Sequence, residues 1–165
     1  VIAIGVSPLD NCYKISLSLI YILIPLLPYL ILRKMGKVTD YELTNREERP
    51  LYFTIITLCF GIMYLVVNTY NIATLSTVAL CIFVVSFMIT VVTLWWKISG
   101  HMTYSTLLFC TLAYLFHSPY IFLLFLFSPL IAWSRIQLSK HNTAQVVAGT
   151  LVTFVLCVLI YKLFW

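Results

Sequence analysis

Along the chain, long apolar runs alternate with short polar breaks. Residues 13–32 are apolar apart from hydroxyls, contain Pro25 and Pro28, and end at Arg33 and Lys34. Further apolar runs cover residues 51–67, 74–96 and 145–164, and a stretch of about 31 residues fills 103–133. A bilayer core about 30 Å thick requires roughly 20 apolar residues per helix, so these runs are membrane-crossing lengths. The 103–133 stretch would make a single helix about 46 Å long, too long for one crossing. Near its centre, Pro119 cannot continue a helical ladder, and the residue before a proline avoids helical dihedrals. A break at His117, Ser118 and Pro119 divides the stretch into 103–116 and 119–133. The pattern predicts an all-α integral membrane protein, a bundle of five to six transmembrane helices forming one domain over residues 1–165.

That division has a topological consequence. With six crossings, the first, third and fifth spans all end on one membrane face, and the three polar loops at 36–50, 97–104 and 134–144 follow them. The loops are therefore predicted to meet. Trp95, Trp96, Trp133 and Trp165 fall at span ends, where an interfacial aromatic belt accounts for them.

Composition fits the same class, since 62% of residues are apolar and 9% charged. The formal charge of +5 comes from basic residues beside membrane spans, which points to anionic lipid or a phosphate ligand and away from nucleic acid. Five cysteines are scattered with no C-x-x-C pair, and no acidic cluster or paired histidines mark a metal site, so neither metal nor cofactor is expected.

The polar loops carry the candidate chemistry. Loop one has Arg46 and Arg49, loop two Lys97 and His101, and loop three Arg135 and His141. Charged groups beside a bilayer are expensive enough to suggest function. A phosphoryl group in transfer spreads negative charge over three equatorial oxygens, so its catalysis is mostly positioning and cationic stabilisation. Arginine binds two such oxygens and stays charged. One imidazole can attack phosphorus while a second protonates the departing oxygen and later activates water.

The loops read T-N-R-E-E-R-P, K-I-S-G-H-M and S-R-I-Q-L-S-K-H-N-T-A-Q. They resemble the three signatures of the type 2 phosphatidic acid phosphatase superfamily: K-x6-R-P, P-S-G-H and S-R-x5-H-x3-D. Arg49 and Pro50 match the first, Ser99, Gly100 and His101 the second, and Ser134, Arg135 and His141 the third, with its five-residue gap intact. The resemblance implies that His141 is the nucleophile, that His101 is the acid and base, and that Arg49 and Arg135 hold phosphate. It also implies donation from the Ser99 and Gly100 amides. Three positions depart from the pattern. Glu42 stands where the first signature has lysine, leaving Arg46, or else Lys37 or Lys97, to substitute, with Arg46 preferred. Ile98 replaces the proline of the second, which loosens that loop without removing a reactive group. Gln145 replaces the aspartate of the third. Its amide oxygen, four residues after His141, can still accept the imidazole N–H but brings no charge to an imidazolium. Asp40, Glu47 or Glu48 are alternative sources of that carboxylate.

The reading is a metal-independent phosphoric ester or diphosphate hydrolase acting on a lipid through a phosphohistidine. Candidate substrates are undecaprenyl diphosphate, phosphatidylglycerol phosphate, phosphatidic acid and a lipid A phosphate. Two rival readings keep the fold: a member that binds or moves phospholipid with weakened turnover, and a structural membrane subunit. Counting lysines and arginines puts the loop face in the cytoplasm, whereas bacterial relatives work in the periplasm; the reading follows the relatives and expects an inner-membrane protein with a periplasmic site.

Overall fold

The computed structural model describes residues 1–163, with the Pro119 side chain left aside, so Trp165 and the last residue of the expected 145–164 span lie outside the described residues. It is helical throughout, with α1 (Ile2–Gly5), α2 (Asn11–Lys34), α3 (Arg49–Asn68), α4 (Ala73–Thr93), α5 (Gly100–Phe116), α6 (Ser128–Gln137) and α7 (Thr143–Leu163). Two 3-10 segments, Arg46–Glu48 and Pro119–Phe127, lead into α3 and α6. Among the described residues, five segments are long and apolar enough to cross a membrane: Asn11–Lys34, Arg46–Asn68, Ala73–Thr93, Tyr120–Gln137 and Thr143–Leu163. The chain is an integral membrane protein of the all-α class. At 17 residues α5 spans about 26 Å, slightly less than a bilayer core.

Two compact units divide the chain, Val1–Thr90 and Val91–Trp165. In the first, the prolines Pro25 and Pro28 lie inside α2, and the Pro25 carbonyl accepts a hydrogen bond from the Tyr52 hydroxyl of α3 at 3.0 Å. Thr90 ties the end of α4 to α3, 2.8 Å from the Thr57 hydroxyl and donating to the Phe53 carbonyl at 3.1 Å. Such bonds hold helices together where lipid supplies no hydrophobic driving force between them.

The second unit is built on α5 and α7. The Ser99 N–H donates to the Gln145 carbonyl, the Thr103 hydroxyl donates to the Gly149 carbonyl, and the Thr111 and Tyr161 hydroxyls lie 2.6 Å apart. Partners rise together along both helices, so α5 and α7 run parallel. Parallel neighbours require the intervening chain to return, and Pro119–Phe127 with α6 supplies that return. The break falls where the sequence places it: α5 ends at His117, whose φ of 48° is left-handed, and Pro119 opens the next segment. The expected 119–133 helix is instead a 3-10 run followed by the ten residues of α6, reaching Gln137. Phe125 of the 3-10 run meets Phe109 of α5 and Phe154 of α7 edge to face, at 5.2 and 5.8 Å between ring centres. Span three also differs slightly, because α4 stops at Thr93 and Trp95 and Trp96 follow in a turn.

A cavity of about 450 Å³ opens between the C-terminal halves of α5 and α7, lined by residues that include Tyr114, His117, Phe122 and Phe154. It begins around Cys110, ten residues along α5, and so lies at the opposite end of the helix pair from loops two and three.

Candidate active site

The N-termini of α5 and α7 lie side by side, because Ser99 precedes the first residue of α5 and Gln145 sits in the first turn of α7. Loops two and three therefore meet, as the span count predicts. Each helix start carries N–H groups without intrahelical partners and the positive end of a peptide dipole, so two such ends share this corner.

Loop two is anchored by burial. Ile98 and Ser99 are 1% and 0% exposed, and the Ser99 side chain caps α5 by accepting the Met102 N–H at 3.4 Å. Ile98 thus holds the loop through its buried side chain; the loosening expected from the loss of proline is not what the packing shows. The bond to the Gln145 carbonyl, 3.3 Å long, engages the Ser99 amide. Gly100 opens α5, and an added Cβ there would meet nothing within 4 Å. His101 follows in the first turn and is exposed, whereas Lys97, the first residue of the loop, is half-buried.

Loop three is a closed turn. The Arg135 carbonyl accepts from both the Lys140 and His141 N–H groups, at 3.1 and 3.3 Å, which folds the five-residue gap of S-R-x5-H back on itself. Ser139 takes a left-handed φ of 52° to make the reversal. Arg135 is half-buried, its Nε donating to the Ser134 hydroxyl at 3.3 Å. His141 is buried, 9% exposed, two residues before the start of α7.

Gln145 connects these pieces. Its Oε1 lies 3.0 Å from His141 Nδ1, the contact expected of an acceptor four residues on. The same oxygen accepts the Asn142 N–H at 3.2 Å, and the Asn142 Oδ1 accepts the Gln145 N–H at 2.9 Å. That reciprocal pair is a capping box closing the start of α7. Asn142 is the residue that motif reading missed, although Asn followed three positions later by Gln before an apolar run is a legible N-terminal signal. Gly149, one turn after Gln145, is required by close approach: a Cβ there would fall 2.9 Å from the Ser99 carbonyl oxygen.

Arg46 and Arg49 belong to the first unit. Arg46 opens the 3-10 turn and is exposed, whereas Arg49 starts α3 with 4% exposure. The Arg49 Nε donates to the Leu43 carbonyl at 2.8 Å, and Leu43 adopts a left-handed φ of 51°, an uncommon state for a branched apolar residue. Loop one uses its own carboxylates: Glu48 accepts the Thr39 N–H and hydroxyl, both at 2.9 Å, and Asp40 accepts the Thr44 N–H at 3.2 Å.

Residues 92–165 match the family model described as the PAP2 superfamily, a segment that contains the second and third signatures and leaves loop one outside it. No curated protein and no solved structure gives a significant match to the chain.

Proposed function

We propose that this chain, whose residues 92–165 match the PAP2 superfamily model, is a phosphatase of that type and removes phosphate from a lipid phosphate monoester or diphosphate by way of a phosphohistidine at His141. The observation that carries this reading is the double role of Gln145, whose side chain meets His141 Nδ1 while its carbonyl accepts the Ser99 N–H of the S-G-H loop. One residue thereby couples the segments holding both histidines.

In the first step His141 Nε2 attacks phosphorus as the bond to the lipid oxygen breaks, and the His101 imidazolium gives its proton to that leaving oxygen. In the second, His101 takes a proton from water as the water oxygen attacks phosphorus and the P–N bond breaks, releasing phosphate and restoring His141. Arg135, the Gly100 N–H and the two helix starts stabilise the equatorial oxygens, and Lys97 adds charge beside loop two. The first-signature arginines, Arg46 and Arg49, enter as phosphate ligands by sequence order alone. The lipid candidates remain phosphatidic acid, phosphatidylglycerol phosphate, undecaprenyl diphosphate and lipid A phosphates, presented from the periplasmic leaflet of a bacterial inner membrane. The amide at Gln145 orients the imidazole but contributes no charge, so this enzyme runs with less imidazolium stabilisation than an aspartate provides.

Phosphate release by the purified protein across that lipid panel tests the reading. Release from at least one lipid, lost in His141→Ala and His101→Ala, is expected. Phospholipid binding without release from any of the four would favour a binding or transport role for the same fold.

A further inference from the structure

The capping box at the start of α7 constrains more than the helix. An amide side chain presents an oxygen on one side and an NH2 on the other, and which of them meets a neighbouring imidazole decides which ring nitrogen carries the proton. Around Gln145 the backbone makes that choice. Its Oε1 accepts the Asn142 N–H at 3.2 Å, and turning the amide over would set NH2 hydrogens against that N–H, donor against donor. The same oxygen is the atom 3.0 Å from His141 Nδ1. Nδ1 must then bear the hydrogen and donate, and Nε2 of the neutral ring is left with its lone pair.

We infer that Asn142 is a positioning residue: by closing the box it holds the Gln145 amide in one orientation and so keeps His141 in the Nδ1–H tautomer with Nε2 as the nucleophilic atom. The inference rests on the proposal that His141 is the nucleophile, and it adds a residue and a device that the three signatures do not contain. The chain of contacts is short. The Asn142 Oδ1 accepts the Gln145 N–H at 2.9 Å, which fixes the first turn; the fixed turn brings Gln145 Oε1 back over residue 142; and the oxygen then meets the ring of the residue just before it. A carboxylate needs no such device, because both of its oxygens accept and either face serves. An amide does. The exchange of aspartate for glutamine at position 145 is therefore accompanied by an N-cap that supplies the orientation a carboxylate has by symmetry. Glutamine also has the length favoured at the third helical position for reaching back to the cap, and Asn142 is among the strongest N-cap types.

His141 is buried and its Nδ1 side faces Gln145, so the tautomer has a direct spectroscopic reading that needs no substrate. Protein labelled with 15N-histidine in lipid nanodiscs, held at about pH 8.5 where an ordinary imidazole is neutral, reports each ring nitrogen by its shift. The three histidines are distinguished with His101→Gln and His117→Gln. The expected wild-type result is a single His141 form protonated at Nδ1. Asn142→Ala removes the side-chain acceptor and should mix the two tautomers while lowering kcat about fivefold, the weight of one N-cap converted to a rate. Asn142→Gly removes the same acceptor at little cost to the helix and should mix the tautomers likewise, with a smaller fall in kcat, so loss of folding in the alanine variant leaves the test intact. Asn142→Ser keeps an acceptor at the cap and should restore both the single form and the rate. A wild-type His141 protonated at Nε2 overturns the inference, as does a glycine variant whose tautomer and kcat equal the wild type's. Failure of the proposed function is a separate result: wild-type protein that releases no phosphate from any lipid refutes the activity, whereas the ring-nitrogen shifts still decide the role of Asn142.

Discussion

Gly149→Ala isolates the step on which the site depends, the close approach of α7 to the S-G-H loop. The new methyl would stand 2.9 Å from the Ser99 carbonyl oxygen, 3.2 Å from Met102 Cβ and 3.3 Å from Thr103 Oγ1. The oxygen is backbone and cannot swing aside, so reaching an ordinary contact of about 3.4 Å requires α7 and the loop to part by roughly half an ångström. The Ser99 to Gln145 hydrogen bond, already 3.3 Å, would lengthen beyond useful range. A misplacement of 1 Å costs about a hundredfold in rate, so half of that predicts a loss of about tenfold in kcat. Overpacking of this kind also lowers stability by about 1–3 kcal/mol. Gly61→Ala is the control, because the nearest atoms to its methyl belong to the Phe83 ring, 3.0 Å away at the nearest carbon, and a ring can turn. Phosphate release per folded molecule, with thermal unfolding followed in parallel, reads both effects. Wild-type kcat in Gly149→Ala, with unfolding no earlier than in Gly61→Ala, would refute the reasoning.

Three further substitutions probe single contacts. Gln145→Glu keeps an acceptor on His141 Nδ1 and adds charge; it should raise kcat and, because a carboxylate favours the imidazolium, move the acid limb of the kcat/KM profile to higher pH, whereas Gln145→Leu should lower kcat by roughly a hundredfold or more through loss of the tautomer. Gly100→Ala should leave thermal stability unchanged, since its methyl meets nothing within 4 Å, yet raise KM where a phosphate oxygen must approach the Gly100 N–H; an unchanged KM would remove that amide from the site. Arg49→Lys loses the Nε donor to the Leu43 carbonyl, a charged hydrogen bond of about 1.5–3 kcal/mol, and should destabilise the first unit by that order in denaturation.

Much of this architecture was legible because it follows from residue patterns. The apolar runs gave six segments, and the break at His117 to Pro119 came from proline's missing donor and fixed φ. That break decided the parity that brings loops two and three together, and the parallel pairing of Ser99 with Gln145 and Thr103 with Gly149 agrees with it. The Gln145 to His141 contact matches the four-residue separation in the sequence, although His141 lies before α7 and the contact is made by the Gln145 side chain reaching back over the helix start. Other features depended on tertiary contact. Helical spacing could not foresee that Arg49 would be buried while Arg46 stayed exposed, because the chain changes from a 3-10 turn to an α-helix between them. Ile98 reads as a lost proline until its burial shows how the loop is held. Asn142 had a readable signal, but its link to the imidazole passes through a shared acceptor oxygen that no motif describes.

Trapping the covalent intermediate tests the central claim most directly. Protein mixed with a lipid substrate bearing 32P in its terminal phosphate, quenched in denaturant and digested at alkaline pH, should yield an acid-labile, base-stable label on the peptide containing His141. The label should be absent from His141→Ala; in His101→Ala it should form more slowly, because the acid of the first step is missing, and persist once formed, because water is no longer activated to break the P–N bond. Steady release of phosphate with no label at His141 in either background would contradict the account.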